Sequence, residues 1–343
     1  MKFIHVAGTN GKGSTCAYIA SGLIRAGYVT GKFTSPHILD ITERVTVNDS
    51  PIPRDVFERL CEKSRGDCPF EVWMNAAFMY FENMNVDFAV IETGIGGLLD
   101  CTNIITPEVS VITKIGFDHT DLLGDSIAEI ARHKAGIIKA GVPVITDPTQ
   151  PAEAMTVIEE TAKKNRSRLY FPNKKPTKNP SENNFDPYFQ NKAIAEETLR
   201  ILGINQNDFS GVVLPARLQV MSRSPLIIAD GSHNPDSLEL SFRSVRLMSD
   251  SRKIAVILGI LDSKDYDSCM KVVTDSLANW EESEIIRTDG FSERAVPCES
   301  GENGKVSTAE ALERARVFAK KDGVILVCGS LYLAGEAIRL LSN

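Results

Sequence analysis

The sequence predicts an α/β protein, with a P-loop on a doubly wound, mostly parallel sheet and a smaller, Rossmann-like α/β domain after it. Three observations carry this expectation. HVAGTNGKGST, residues 5–15, places a glycine-rich loop between an apolar strand and a helix of apolar period. Apolar runs of strand length then alternate with helical stretches, the pattern of a parallel sheet covered on both faces. The alternation restarts from about Val212, which marks a second domain.

Taken in chain order, KFIHVAG reads as a buried strand, and STCAYIASGLIRAGY as a helix that stops at Gly27. A short strand follows in GYVTGKF. VDFAVIETGIGG is a strand running into a glycine-rich turn, VSVITKIG another, DSIAEIARHKAGII a helix and VPVITD a further strand. Residues 171–190, FPNKKPTKNPSENNFDPYFQ, are rich in Pro, Asn and Lys and read as a loop, with NKAIAEETLRILGI a helix after it. In the second domain PLIIADGSHN, KIAVILGIL, SEIIRTDG and GVILVCGS are strands with helical stretches between them. The boundary falls at SGVVLPAR, giving expected domains 1–211 and 212–343, and there is no internal repeat.

The 343 residues are 43% apolar, enough for two cores, and the net charge of −7 gives no basic field for nucleic acid or an anionic membrane. Seven scattered cysteines without a C-x-x-C pair argue against a zinc site and a disulfide framework, and fit a reducing compartment. The apolar start is cut short by TNGKGS, so no signal peptide is expected, and no apolar run has the length of a membrane span. A soluble, cytoplasmic monomer acting on small molecules is expected, with neither nucleic acid nor membrane as partner.

The loop reads G-x-x-G-K-G-S, shorter than the common P-loop and with an extra glycine before the serine. Backbone N–H groups of Gly8, Thr9, Asn10, Gly11 and Gly13, together with the helix N-terminus, make an anion site. Lys12 adds a point charge for β/γ-phosphates, and a hydroxyl from Ser14 or Thr15 can face a metal. Ser35, in TSPHILDITERV, precedes a proline that holds its backbone extended. Glu92 ends an apolar strand, where ligand sites of parallel sheets gather and where a carboxylate suits Mg²⁺. Asp118, His119 and Asp121 follow the next strand at the same edge. Lys134, taken alone, reads as a solvated helix-face residue. In the second domain Asp230 and His233 lie at a strand end, and Arg217 lies at the domain junction, a place suited to stabilising transferred negative charge.

These pieces, in this order, resemble the folylpolyglutamate synthase/dihydrofolate synthase family of the Mur ligase superfamily. HVAGTNGKGS, TSPH, ETGIGGLLDCTN, VSVITKIGFDH, HKAGIIK, ARLQ, DGSHNP and CGSLYLAGE all match family motifs and span nearly the whole chain. The resemblance implies transfer of the ATP γ-phosphoryl to a carboxylate of a pteroate or folate, then attack by the α-amine of L-glutamate on the acyl phosphate. It implies that Lys12 and its loop hold the ATP phosphates, that Ser35 and Glu92 bind one Mg²⁺ and that His119 takes a second. It further implies that Lys134 is carbamylated and that Asn191 contacts adenine. Arg217, Asp230 and His233 become nucleotide contacts from the second domain.

The sequence departs from the family on the substrate side. The chain starts on the first strand, where family members usually carry a segment that contributes to the pterin pocket. Leu98 replaces an arginine, Cys101 an alanine, Leu214 a tryptophan and His133 a glutamate, and 171–190 replaces a longer, strand-bearing stretch. The leading reading is an ATP- and Mg²⁺-dependent ligase adding L-glutamate to a folate. Glutamate addition to dihydropteroate, a related ligase for another acid, and a nucleotide-binding pseudoenzyme stay open. A GTPase or kinase is disfavoured, because G-K-[ST] spacing is lacking.

Overall fold

The computed structural model describes residues 1–173, 186–298 and 306–342. They form two compact units, one of residues 1–173 with 188–213 and one of residues 186–187 with those from Leu214 onward.

In the first unit β1 (Lys2–Ala7) leads through the glycine loop into α1 (Lys12–Arg25) and β2 (Thr30–Phe33). Next come β3 (Val45–Val47), β4 (Ser50–Pro51), α2 (Arg54–Lys63), α3 (Pro69–Asn83) and β5 (Phe88–Glu92). β6 (Val109–Ile112), α4 (Thr120–Leu123), α5 (Ile127–Ala135), β7 (Val144–Thr146), α6 (Ala152–Lys164), β8 (Leu169–Tyr170) and α7 (Phe189–Ile201) complete it. The sheet runs β4-β3-β2-β5-β1-β6-β7-β8, parallel from β2 to β8. β3 and β4 pair antiparallel beyond β2. Strand parity sorts the helices. Phe3, Ala7, Ala89, Ile91 and Ile112 share one face and pack under α2, α3, α5 and α6. Ile4, Val6 and Val90 lie on the other face, where α1 and α7 pack against each other and the sheet.

Several features differ from expectation. α1 starts at Lys12 rather than Ser14, because Gly11 at φ 85° turns the loop straight into the helix. It ends at Arg25, with the Gly27 N–H returning to the Ile24 carbonyl. β3 and β4 carry three and two residues, too few for alternation to register. The nearly all-apolar PFEVWMNAAFMYF of α3 shows no single apolar stripe. Of the loop expected over 171–190, residues 174–185 lie outside the described residues, and α7 has already begun at Phe189.

The second unit runs β9 (Gln219–Arg223), β10 (Leu226–Ala229), α8 (Pro235–Met248), β11 (Lys253–Leu258), α9 (Tyr266–Leu277), β12 (Glu282–Arg287), α10 (Thr308–Ala319), β13 (Val324–Cys328) and α11 (Leu331–Ser342). Its sheet order is β12-β11-β13-β10-β9, parallel except for β9, an antiparallel edge the sequence reading did not anticipate. Ile228, Ile254, Val256, Leu258, Val324 and Leu326 face α8 and α9. Ile227, Ala255, Ile257, Ile325 and Val327 face α10 and α11, so both faces of this sheet are covered.

Candidate active site

The segment after β6 holds the glycine loop from behind. Thr9 and Asn10 donate their N–H groups to the Lys114 carbonyl at 2.9 and 3.1 Å. The Thr9 hydroxyl donates to the Gly116 carbonyl at 3.0 Å and accepts from the Gly116 N–H at 3.1 Å. Two glycines are sterically required. A Cβ at Gly8 would stand 1.9 Å from Thr113 Oγ1, and one at Gly11 would stand 2.4 Å from Asn191 Oδ1. Lys12, Gly13 and Ser14 form the first turn of α1, where backbone N–H groups lack intrahelical partners and attract an anion. The Thr15 N–H is already bonded to the Gly11 carbonyl at 2.9 Å, while its buried hydroxyl has no partner among the described residues. Lys12 Nζ donates to the Thr9 carbonyl at 3.3 Å.

Glu92 closes β5, the strand beside β1, and is 3% exposed. Its Oε2 accepts the Ser35 N–H at 3.1 Å, and a Cβ on Gly13 would stand 3.5 Å from the same oxygen. One buried carboxylate thus adjoins both the phosphate loop and the Ser35 loop. The Ser35–Pro36 peptide is cis. Beyond it the loop is clamped from within, as Glu43 accepts the N–H groups of Ile38, Leu39 and Asp40 at 2.8, 3.0 and 2.8 Å. Arg44 Nε donates to His37 Nδ1 at 3.0 Å, and its guanidinium lies 4.7 Å from the Trp73 ring centre. Burial, and then the Arg44 charge, hold His37 below the usual histidine pKa.

Lys134 is not the solvated residue its isolated reading suggested. It is 4% exposed on α5, and its Nζ donates to the Gly8 carbonyl at 2.8 Å, tying that helix to the phosphate loop. Sequence spacing alone missed this, since the tether spans distant segments. His119 adopts a left-handed conformation, φ 52°, as N-cap of α4, with Nε2 3.8 Å from Asp118 Oδ2. It stands on the loop from β6, whereas Ser35 stands on the loop from β2 and Glu92 ends β5. Gln150, which sequence reasoning missed, shapes the same loop. It accepts the Ile115 N–H at 2.9 Å and donates to the Thr113 carbonyl at 2.8 Å. Its position just past β7, at a strand end, was the available signal.

The GGLLDCTN stretch is a bracket. Asp100 accepts the N–H groups of Ile95 and Thr102, both at 3.0 Å, and the Thr102 hydroxyl at 2.5 Å. Asn103 donates to the carbonyls of Leu98 and Gly136 at 3.0 and 3.2 Å, and Leu98 donates to the His133 carbonyl at 2.7 Å. Thr102 Oγ1 gives its proton to Asp100 and therefore accepts from His5 Nε2 at 2.9 Å. His5 is fully buried, and desolvation, with Lys139 nearby, lowers its pKa to about 3.

Metal fit follows from the donor set. Among the described residues no three His, Cys, Asp or Glu side chains group as a metal cage. Mg²⁺ does not require one, because it takes one or two carboxylates and completes its shell with phosphates and water. Buried Glu92, the Ser35 hydroxyl and the unpartnered Thr15 hydroxyl are oxygen donors of that kind.

Within the second unit Arg217 sits between Ala216 and Leu218, both left-handed at φ 51° and 47°. Such non-glycine strain persists only where the surroundings impose it. Here Asp230 imposes it, 5% exposed, accepting the N–H groups of Leu218 at 2.7 Å and Ser232 at 3.0 Å and the Ser241 hydroxyl at 2.5 Å. Gly231 donates to the Ala216 carbonyl at 2.8 Å, and a Cβ on Gly231 would stand 3.1 Å from Arg217 Nη1. His233 Nδ1 lies 2.7 Å from the Gly231 carbonyl.

A parallel sheet with a phosphate loop, an acidic strand end and a second α/β unit defines a nucleotide-using enzyme, and comparison with known proteins narrows the class. Residues 6–184 match the Mur ligase middle domain and residues 216–331 the Mur ligase glutamate ligase domain. The folylpolyglutamate synthase of Lacticaseibacillus casei is 34% identical, over 98% of this chain and 89% of its own length. The dihydrofolate synthase/folylpolyglutamate synthase of Escherichia coli K12 is 31% identical, over 98% of this chain and 86% of its own length. The structure of E. coli FolC in complex with DHPP and ADP superposes with a TM-score of 0.83 at 26% identity, covering 99% of this chain and 88% of that one. The chain belongs to the Mur ligase family, in its folylpolyglutamate synthase/dihydrofolate synthase branch, and is an ATP-dependent ligase. Among the described residues no helix is long and apolar enough to cross a membrane.

Proposed function

We propose that this ligase joins L-glutamate to a folate, using ATP to activate the folate carboxylate as an acyl phosphate. The observation that carries the reading is Glu92, a buried carboxylate adjoining both the phosphate loop and Ser35, in a chain whose relatives carry this activity in their names. In this reading residues 1–211 are the ATP-binding domain and 212–343 the glutamate-ligase domain. Lys12 and the loop from Gly8 to Thr15 hold the β/γ-phosphates, with Asn191 by the adenine. Arg217, Asp230 and His233 serve the nucleotide from the second domain. Asp230 does so by fixing the turn that carries Arg217, since its own oxygens are engaged in the fold.

Glu92 and Ser35 would hold one Mg²⁺ and His119 a second. Bound there, the ions neutralise phosphoryl charge. Lys134 is the carbamylation candidate, and a carbamate on Nζ keeps one N–H for the Gly8 carbonyl. Its test is Lys134→Ala, which should lose activity and regain part of it with added short-chain carboxylic acids. An undiminished variant removes Lys134 from the mechanism.

The deciding experiment is ATP-dependent incorporation of labelled glutamate by the purified chain, offered reduced folates and dihydropteroate separately. Incorporation on reduced folates supports the reading. Incorporation on dihydropteroate alone moves the assignment to the dihydrofolate synthase step, and none on either overturns it.

A further inference from the structure

The loop after β2 uses several of its polar groups to hold its own shape. Glu43 takes three successive N–H groups, Asp40 caps Thr42, and the Ser35 N–H goes to Glu92. The Ser35 hydroxyl and the His37 ring keep hydrogen-bonding capacity beyond these contacts. Arg44 Nε is only ever a donor, so its 3.0 Å hydrogen bond makes His37 Nδ1 the acceptor and places the ring proton on Nε2. Among the described residues nothing accepts that Nε2–H, although the ring is half-buried. Arg44, which sets the tautomer, is 7% exposed, with its guanidinium seated on Trp73.

The sheet order says what reaches this donor. The phosphate loop leaves β1, Glu92 ends β5, and His37 follows β2, in the spatial order β2-β5-β1. His37 therefore stands on the side of Glu92 away from the phosphate loop. In an in-line phosphoryl transfer the attacking group comes from the side opposite the leaving nucleotide. The attacking group here is a carboxylate, which must approach the triphosphate and Glu92 against like charge. A neutral N–H can hold one of its oxygens without drawing off the electron density needed for attack.

We infer that His37 Nε2–H donates a hydrogen bond to the carboxylate of the acceptor acid and that Arg44 is the positioning residue that fixes this tautomer. The inference rests on the ligase reading above.

The test is steady-state glutamate ligation by wild type, His37→Phe, His37→Gln and Arg44→Met, with KM measured separately for the acceptor and for ATP. His37→Phe should raise the acceptor KM by about tenfold or more and leave the ATP KM and nucleotide affinity near wild type. His37→Gln keeps an N–H close to Nε2 and should recover part of the loss, and Arg44→Met should follow His37→Phe. An unchanged acceptor KM in His37→Phe, or equal losses on acceptor and ATP in all three variants, overturns the inference. Wild-type chain that ligates glutamate to no folate or pteroate overturns the ligase reading first, and this one with it.

Discussion

At the scale of single residues, the site rests on a few side chains whose neighbours leave no alternative. Lys12 is the one side-chain cation carried by the phosphate loop itself. Lys12→Ala should abolish ATP turnover, followed as phosphate release, and near-normal turnover would remove the loop from the chemistry. Gly11→Ala forces a left-handed alanine into Asn191. It should cost about 1–2 kcal/mol from backbone strain alone, read in a urea melt, with weaker nucleotide binding. His5 gives a pH signature. Its folded pKa is about 3 against 6.5 when free, so between those values the unfolded chain binds the proton and the folded chain does not. The stability this neutral ring contributes is complete above 6.5 and is lost as pH falls toward 3, at up to about 1.4 kcal/mol per pH unit. His5→Gln should flatten that part of the pH profile, and an identical slope in wild type and variant would contradict the assignment.

At the scale of elements, the loops matter more than the helices. The bracket of residues 95–104 is fastened to α5 by Asn103, which ties the carbonyls of Leu98 and Gly136 together. Asn103→Ala frees both and should destabilise by about 1–3 kcal/mol, with faster amide exchange at residues 95–104 than elsewhere. This scale also separates what the sequence could tell from what it could not. Glu92 and the phosphate loop were legible because a polar residue ending an apolar strand stands out against period and composition. Asn191 was matched through resemblance, and its contact with Gly11 supplies the physical reason a sequence cannot give. Lys134 too was matched only through resemblance; its spacing gave no sign of a role, because the carbonyl it binds lies 126 positions away. β3, β4 and β9 escaped notice because two of them are too short to alternate and the third is a half-exposed edge.

At the scale of the whole molecule, each unit has its own two-faced sheet and core, so ligand energy and folding energy add where the nucleotide binds. Saturating ATP at about one hundred times its Kd should stabilise the chain by about 2.7 kcal/mol. That appears as a higher Tm in calorimetry, which Lys12→Ala should lack. A Tm rise of equal size in the variant would place binding elsewhere.

The middle position of β1 also has a bearing on how the chain is made. Its partners are residues 88–92 on one side and 109–112 on the other, so this strand cannot be flanked on both edges until more than a hundred further residues have followed it. Until residues 88–92 arrive both edges of this apolar strand are open, and one stays open until residues 109–112 follow, the situation in which nascent chains pair wrongly or enlist chaperones. The strand that carries the phosphate loop thus waits for partners made long after it, and slowing translation between residues 7 and 112 should lower the yield of soluble enzyme more than slowing it after 214.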